Sequence, residues 1–366
     1  MTATPVRRRR VEAEPRAGRR GLVHERGNRS SYRVEFDLRT AYDFVISMFW
    51  NDAEYDRLPE DERWLVAARA ALTDSERADI EASFGKHGSG YGLLSLTMLR
   101  PEVRTASDLA ELIGRLPAHD YARTVLDDQS LEPEVAALAR RALDGDRAAL
   151  RQLPRRLPDS IALPAIALLR DPETTIGHLR RGLQAWLPHF QEVETKVRGI
   201  LERDLELRAV ERATLSPTDL IERVTGGLRF VPDPRVTRVI MAPSYFGRPF
   251  NELESGPGWR LFCYPVADEA LPSADELAPP PQVLRLFRAL GDGSRLRILR
   301  LLVDADLYLT EIAQALELSK PTVKHHLAQL RAAGLVTVVE ERNLTTYSLR
   351  RERLSEAGDE LRAYLR

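Results

Sequence analysis

Hydrophobic residues recur along this chain with two periods, and the changes between them mark its parts. Tyr32, Val34 and Phe36 alternate with polar neighbours, which predicts a short strand. Spacings of three and four then dominate to about residue 225 and predict helices. Thr73 with Glu76 makes a capping box, and Ser216-Pro217 opens a helix that Gly226-Gly227 closes. Residues 176–215 read as one long amphipathic helix interrupted at Pro188, whose ring removes a backbone donor. Within it Val193, Val197, Ile200, Asp204 and Leu207 follow coiled-coil-like spacing with a charge in the seam, as a packed internal helix or a dimer seam would. After Gly227 the period falls to two. Residues 228–231, 236–241 and 260–264 predict short strands joined by Pro- and Gly-rich turns, available to pair with the strand near residue 34.

A segment rich in acid and proline, 268–282, predicts a linker. Four helical patterns follow in quick succession. Val283, Leu286, Phe287 and Leu290 form the first apolar face, and Asp292 can cap the next helix, whose stripe is Leu296, Ile298, Leu299, Leu301 and Leu302. Thr310 can cap a third, short helix with Ile312, Ala313 and Leu316 inward. Ser319 caps a fourth, with Pro321 in the first turn, where a missing N–H costs nothing. A short helix, a tight turn and a helix burying Val323, Leu327 and Leu330 make a helix-turn-helix. Its exposed side carries Lys320, Thr322, Lys324, His325 and Gln329. Cations there suit phosphates and polar ends suit base edges. Two alternating strands over 336–349 meet at Arg342-Asn343, a hairpin wing whose tip arginine could enter a minor groove.

Several linked stretches resemble the ArsR-type winged helix: 290–299, Leu309-Thr310-Glu311-Ile312-Ala313, 318–327, 330–336 and Tyr347-Ser348-Leu349. The resemblance implies a dimeric transcriptional regulator, usually a repressor released by its effector, with the fourth helix reading double-stranded operator DNA. Ser319, Lys320, Thr322, Lys324, His325, Gln329 and Arg342 are its candidate DNA-binding residues. Metal-sensing members carry a Cys-x-Cys pair in the third helix, where this chain has Asp306-Leu307-Tyr308-Leu309, or His and Asp ligands in the last helix, where 351–366 hold no histidine. No cofactor or metal is expected. Upstream, 238–244 and 261–265 more weakly resemble long ArsR-like regulators whose N-terminal domain has no activity to carry over.

Composition narrows the field. The 366 residues are 43% apolar and 30% charged, enough for a buried core. The longest apolar stretches fall far short of the ~18 residues that suggest a membrane span. No membrane association is therefore expected, and a cytoplasmic location is the default. Cys263, the one cysteine, excludes an intramolecular disulfide and a thiolate metal cage. The net charge of −1 hides an asymmetry: 1–29 hold nine arginines against three glutamates, while 281–366 hold 14 basic and 11 acidic side chains. Residues 1–29 predict a disordered basic arm.

Nucleophilic catalysis finds no Gly-x-Ser-x-Gly elbow, and the glycine-rich run 85–92 matches no phosphate loop. Phe44, Phe49, Trp50, Trp64 and Trp186 could line a ligand pocket or be plain core. The expected fold is α+β, mainly α. A helical domain over 30–225 carries a small antiparallel sheet from 226–267, followed by the linker, a winged helix-turn-helix over 283–350 and a last helix over 351–366. The upstream domain would sense a small-molecule or protein effector or assemble a homodimer. A small-molecule enzyme, or a protein-interaction platform, carrying an autoregulatory winged helix is the alternative.

Overall fold

A computed structural model describes residues 32–49, 59–85, 90, 92–127, 131–157, 159–231, 234–272, 279–341 and 344–366. The expected basic arm, Trp50, most of the glycine-rich run and the wing tip Arg342-Asn343 lie outside them. After strand β1 (Arg33–Phe36) come helices α1 (Thr40–Ser47), α2 (Pro59–Ala71), α3 (Asp74–Phe84), α4 (Leu93–Leu99), α5 (Ala106–Arg115) and α6 (Ala118–Asp127). Then follow α7 (Pro133–Leu143), α8 (Arg147–Gln152), α9 (Asp159–Arg170), α10 (Pro172–Leu207), α11 (Ala209–Thr214) and α12 (Pro217–Val224). The predicted capping box holds at the start of α3: Thr73 N–H donates to Glu76 at 2.8 Å, and Glu76 N–H donates to Thr73 Oγ1 at 3.3 Å.

Helix α10 is the spine, 36 residues long. At 1.5 Å per residue it spans about 54 Å. It runs unbroken through Pro188, against the predicted interruption. Leu183, Trp186 and Phe190 are fully buried around that position, and their packing against neighbouring helices offsets one lost backbone hydrogen bond. Val197, Ile200 and Asp204 are buried too, so the middle of the seam packs inside the body, while Leu207 at its end is exposed. Asp204 accepts from the Tyr264 hydroxyl at 2.8 Å and from Ala267 N–H at 2.7 Å, with Arg208 at 3.6 Å. The described members of the aromatic set, Phe44, Phe49, Trp64 and Trp186, pack in the helical core: Trp64 lies 5.8 Å from Trp186 and 5.5 Å from Phe246, ring centre to ring centre, and Phe44 lies 5.3 Å from Phe190.

Next come β2 (Leu228–Phe230), β3 (Arg238–Ser244), β4 (Glu252–Gly256) and β5 (Trp259–Pro265). The body's sheet has the order β1-β3-β5-β4. The expectation of antiparallel pairing holds for β4 with β5, whereas β1–β3 and β3–β5 are parallel. Burial explains the difference. Ile240, Ala242, Leu261 and Cys263 face the helical core, while Val239, Met241, Phe262 and Tyr264 face α12 with Leu220, Ile221 and Val224. A strand buried on both faces carries a near-continuous apolar run, as parallel strands do. At its C-terminal end β3 is tied to α1 through buried Asp43, which accepts from Ser244 Oγ at 2.9 Å and Phe246 N–H at 2.8 Å. Burial pushes the Asp43 carboxyl up to about 6 against the pull of those donors.

The expected linker is in part structured. Residues 268–270 form a 3-10 turn with Ala270 buried, whose carbonyl accepts from Arg203 at 2.9 Å. Asp268 pairs at 2.7 Å with Arg285 of the next helix, α13 (Pro281–Leu290). No helix among the described residues is long and apolar enough to cross a membrane.

Candidate nucleic-acid interface

Local sequence builds the C-terminal region almost alone. Asp292 caps α14 (Gly293–Leu302), accepting from Arg295 N–H at 2.9 Å. After a short strand, β6 (Leu307–Tyr308), helix α15 (Leu309–Leu316) begins one residue ahead of the Thr310 cap predicted for it. Glu311 supplies the cap by reaching back to Tyr308 N–H at 2.9 Å, which leaves Thr310 exposed in the first turn. Glu317 turns the chain with φ 57°, and α16 (Lys320–Ala332) follows. Ile312, Ala313, Leu316, Val323, Leu327 and Leu330 join one core with Ile298 and Leu302. The wing strands β7 (Val336–Glu341) and β8 (Leu344–Leu349) pair antiparallel, β6 adds to β8, and α17 (Arg351–Tyr364) ends the chain.

On α16 the structure exposes Lys320, Thr322, Lys324 and His325, with Gln329 half-buried. At about 100° per residue the two lysines take one flank, Thr322 and Gln329 the other, and His325 lies between them. No acidic residue occurs over 318–339, so the exposed face is purely cationic and polar. Two members of the predicted set also have structural work. Ser319 accepts from Thr322 N–H at 3.3 Å, and the two hydroxyls lie 2.7 Å apart, so both are engaged in the cap. Arg342 lies outside the described residues. His326 is turned inward, 3.9 Å from Asp292, and burial holds its pKa below the ordinary imidazole value. Arg295 closes the end of α13 by donating to the carbonyls of Ala289 at 2.8 Å and Arg288 at 2.7 Å.

One pairing in the wing sheet has no signal in the sequence. Strand β2, expected in the body's sheet, pairs parallel with β7 and makes the wing sheet four-stranded, in the order β2-β7-β8-β6. Gly226 and Gly227, with φ +72° and +111°, turn the chain sharply after α12, and Val338 N–H donates to the Gly227 carbonyl at 3.1 Å. The Phe230 ring stays with the body, edge-on to Tyr32 at 5.1 Å and to Phe262 at 5.9 Å. Alternation over 228–230 identifies a strand but not its partner, which lies more than a hundred residues downstream.

A helix-turn-helix with a hairpin wing, an acid-free exposed face and a core of its own defines the winged helix-turn-helix class of transcriptional regulator. Through this region the chain belongs to the arsR family of bacterial regulatory proteins, whose model matches residues 292–338. It is 40% identical over 77 residues to the HTH-type transcriptional regulator CmtR of Mycobacterium tuberculosis, a match covering 21% of this chain and 65% of that protein. An uncharacterized HTH-type regulator of Methanocaldococcus jannaschii is 35% identical over 72 residues, covering 19% of this chain and 81% of the relative. The solved structure of HlyU from Vibrio cholerae is 32% identical and covers 23% of this chain and 94% of its own, with a TM-score of 0.19. Each of these matches covers less than a quarter of this chain.

Proposed function

We propose that the whole chain is a cytoplasmic, homodimeric repressor that binds double-stranded operator DNA through α16 and is released by an effector sensed in the body. The reading is carried by the exposed face of α16, where Lys320 and Lys324 stand beside His325, Thr322 and Gln329 and no acidic residue occurs from 318 to 339. Lysines position the helix on phosphates, and the amide and imidazole reach base edges. Ser319 completes the proposed set by fixing the start of the helix, and Arg342 would add a minor-groove contact from the wing tip.

Dimerisation is supported by apolar surface left bare on two neighbouring helices. Leu284 and Phe287 of α13 and Leu354 of α17 are 38%, 42% and 39% exposed, and α17 buries none of its residues within one chain. A two-fold dimer would set its recognition helices about 34–36 Å apart, on half-sites about 10 base pairs apart.

The test is anisotropy titration of the full chain against DNA from its own upstream region and against scrambled DNA, at several salt concentrations. If Lys320, Lys324 and Arg342 of each protomer meet one phosphate apiece, affinity falls with log salt at a slope of about −5. Lys324→Ala should weaken binding to every sequence and make that slope shallower by about 2 per dimer, with the circular dichroism unchanged. Unchanged affinity removes Lys324 from the interface, and equal, weak binding to both DNAs removes the regulator reading. A promoter-reporter fusion that falls silent when the gene is deleted would replace repression by activation.

A further inference from the structure

Between the body and the winged helix runs a cleft of about 880 Å³, within the range of small-molecule sites. Its walls come from α11, α12, the segment after β3, the end of β5 and, on the other side, residues 331–334, Arg350 and α17. The walls are charged, and most of that charge is internally matched. Arg208 and Arg223 pair with Glu211, at 3.1 and 2.9 Å. Glu222 pairs with Arg229 at 3.2 Å and Asp268 with Arg285 at 2.7 Å. Glu356 and Glu360 both engage Arg353. Asp219 accepts from the Ser216 hydroxyl at 2.7 Å, and Glu269 is an exposed acid with no such pairing among the described residues.

Two arginines on these walls, Arg248 and Arg350, have no carboxylate within ion-pair distance among the described residues, although Arg248 lies near enough to Asp43 to pull that carboxyl's pKa down. Arg248, 3% exposed, donates through Nε to the Tyr245 carbonyl at 2.9 Å and lies 4.5 Å over the Tyr245 ring, which leaves its outer nitrogens unassigned. The half-buried Arg350 places its guanidinium beside Gly227 of the body and Gly334 at the end of α16, 3.6 and 3.7 Å from where their Cβ atoms would stand. Next to them Asn251, 8% exposed, donates to the Thr225 carbonyl at 2.9 Å while its Oδ1 meets no donor. Arg350 and the spare acceptor of Asn251 therefore meet at the turn 225–227, and Arg248 lines the same cleft.

We propose that this cleft binds a small hydrophilic metabolite whose carboxylate or phosphate oxygens are held by Arg350 and Arg248 and whose hydroxyl or amine serves Asn251. Guanidinium forks match the oxygens of either group two at a time. This deepens the effector reading above and rests on it, because one wall is the C-terminal end of the recognition helix. Arg331 lies close enough to Glu252 of β4 to lower that carboxyl's pKa, which burial raises to about 7. A ligand spanning Gly227 and Gly334 fixes α16 relative to the body, and DNA affinity shifts with occupancy.

The experiment is calorimetric titration of the full chain with sodium phosphate and, separately, sodium citrate, both at constant ionic strength against a chloride blank. At least one probe should bind saturably at one site per chain. Arg350→Gln should weaken it tenfold or more and Arg350→Lys by less, while Arg115→Gln, which alters an exposed pair with Glu111, should leave it intact. Binding by phosphate alone assigns a phosphorylated ligand, and by citrate alone a carboxylate. The site is overturned if neither probe exceeds the chloride blank, or if Arg350→Gln binds as the parent does. Operator affinity measured in parallel separates the two readings. No selective operator binding either with or without the probes sinks the regulator and leaves the titration standing, whereas anion binding that leaves DNA affinity unchanged keeps the site and overturns its effector role.

Discussion

His325 and His326 are neighbours in sequence with opposite environments: one is exposed on the proposed DNA face, the other turned toward Asp292 with an unbonded Nδ1. Burial disfavours the His326 imidazolium, and Asp292 only partly restores it, so its folded-state pKa lies below the ordinary value of about 6.5. As pH falls through that value the unfolded chain takes up the proton first. Stability from the neutral imidazole is therefore present above about pH 6.5 and lost below it. Thermal melts of the full chain between about pH 7 and 5.5 should show that loss, and His326→Gln should flatten it; a parallel decline in the variant would assign the effect elsewhere. Local caps work on the same scale. Ser319→Ala leaves the Thr322 N–H unpaired and should cost about 1 kcal/mol in denaturant unfolding. Such caps are legible in sequence because donor and acceptor lie three residues apart. Asp204 is legible only as an anomaly, since its partners Tyr264 and Ala267 come from a strand end some sixty residues on.

Among the elements, periodicity identified the helices well and their neighbours poorly. The reading of α10 as internal fits its burial, while the expected break at Pro188 fails because propensity yields to packing. Strand β4 was missed: Glu252-Leu253-Glu254-Ser255-Gly256 is too polar to stand out, and its place follows from pairing with β5. Strand β2 is visible from its alternation, but the sheet it joins is that of the wing and not the body's. Its placement gives a direct test, since Leu228 is buried at the junction of body and wing. Leu228→Ala should cost about 2–4 kcal/mol, and the Val338 amide, bonded to the Gly227 carbonyl, should exchange its hydrogen faster than the rest of β7. Unchanged Val338 protection would mean that β2 does not hold the wing.

Across the whole molecule, the winged helix is legible almost residue by residue because its contacts are short-range, apart from β2. The body is not, because its sheet joins β1 to β3 across some two hundred residues. Assembly belongs to this scale. A charge in the bare apolar patch should split the proposed dimer, so Phe287→Glu should sediment as a monomer and lose most of its operator affinity; a dimer that survives it uses another surface. The four-stranded wing sheet also bears on how the protein can be divided. A fragment beginning at residue 283, where the sequence alone places the start of the DNA-binding region, would lack β2 and bare the backbone edge of β7. Unpaired edges of that kind recruit strands from other molecules. Such a fragment should be prone to clump edge to edge at concentrations where the intact chain stays dispersed, and because β3 and β5 rest on the helical core and on β1, the intact chain is the safer route to a complex with DNA.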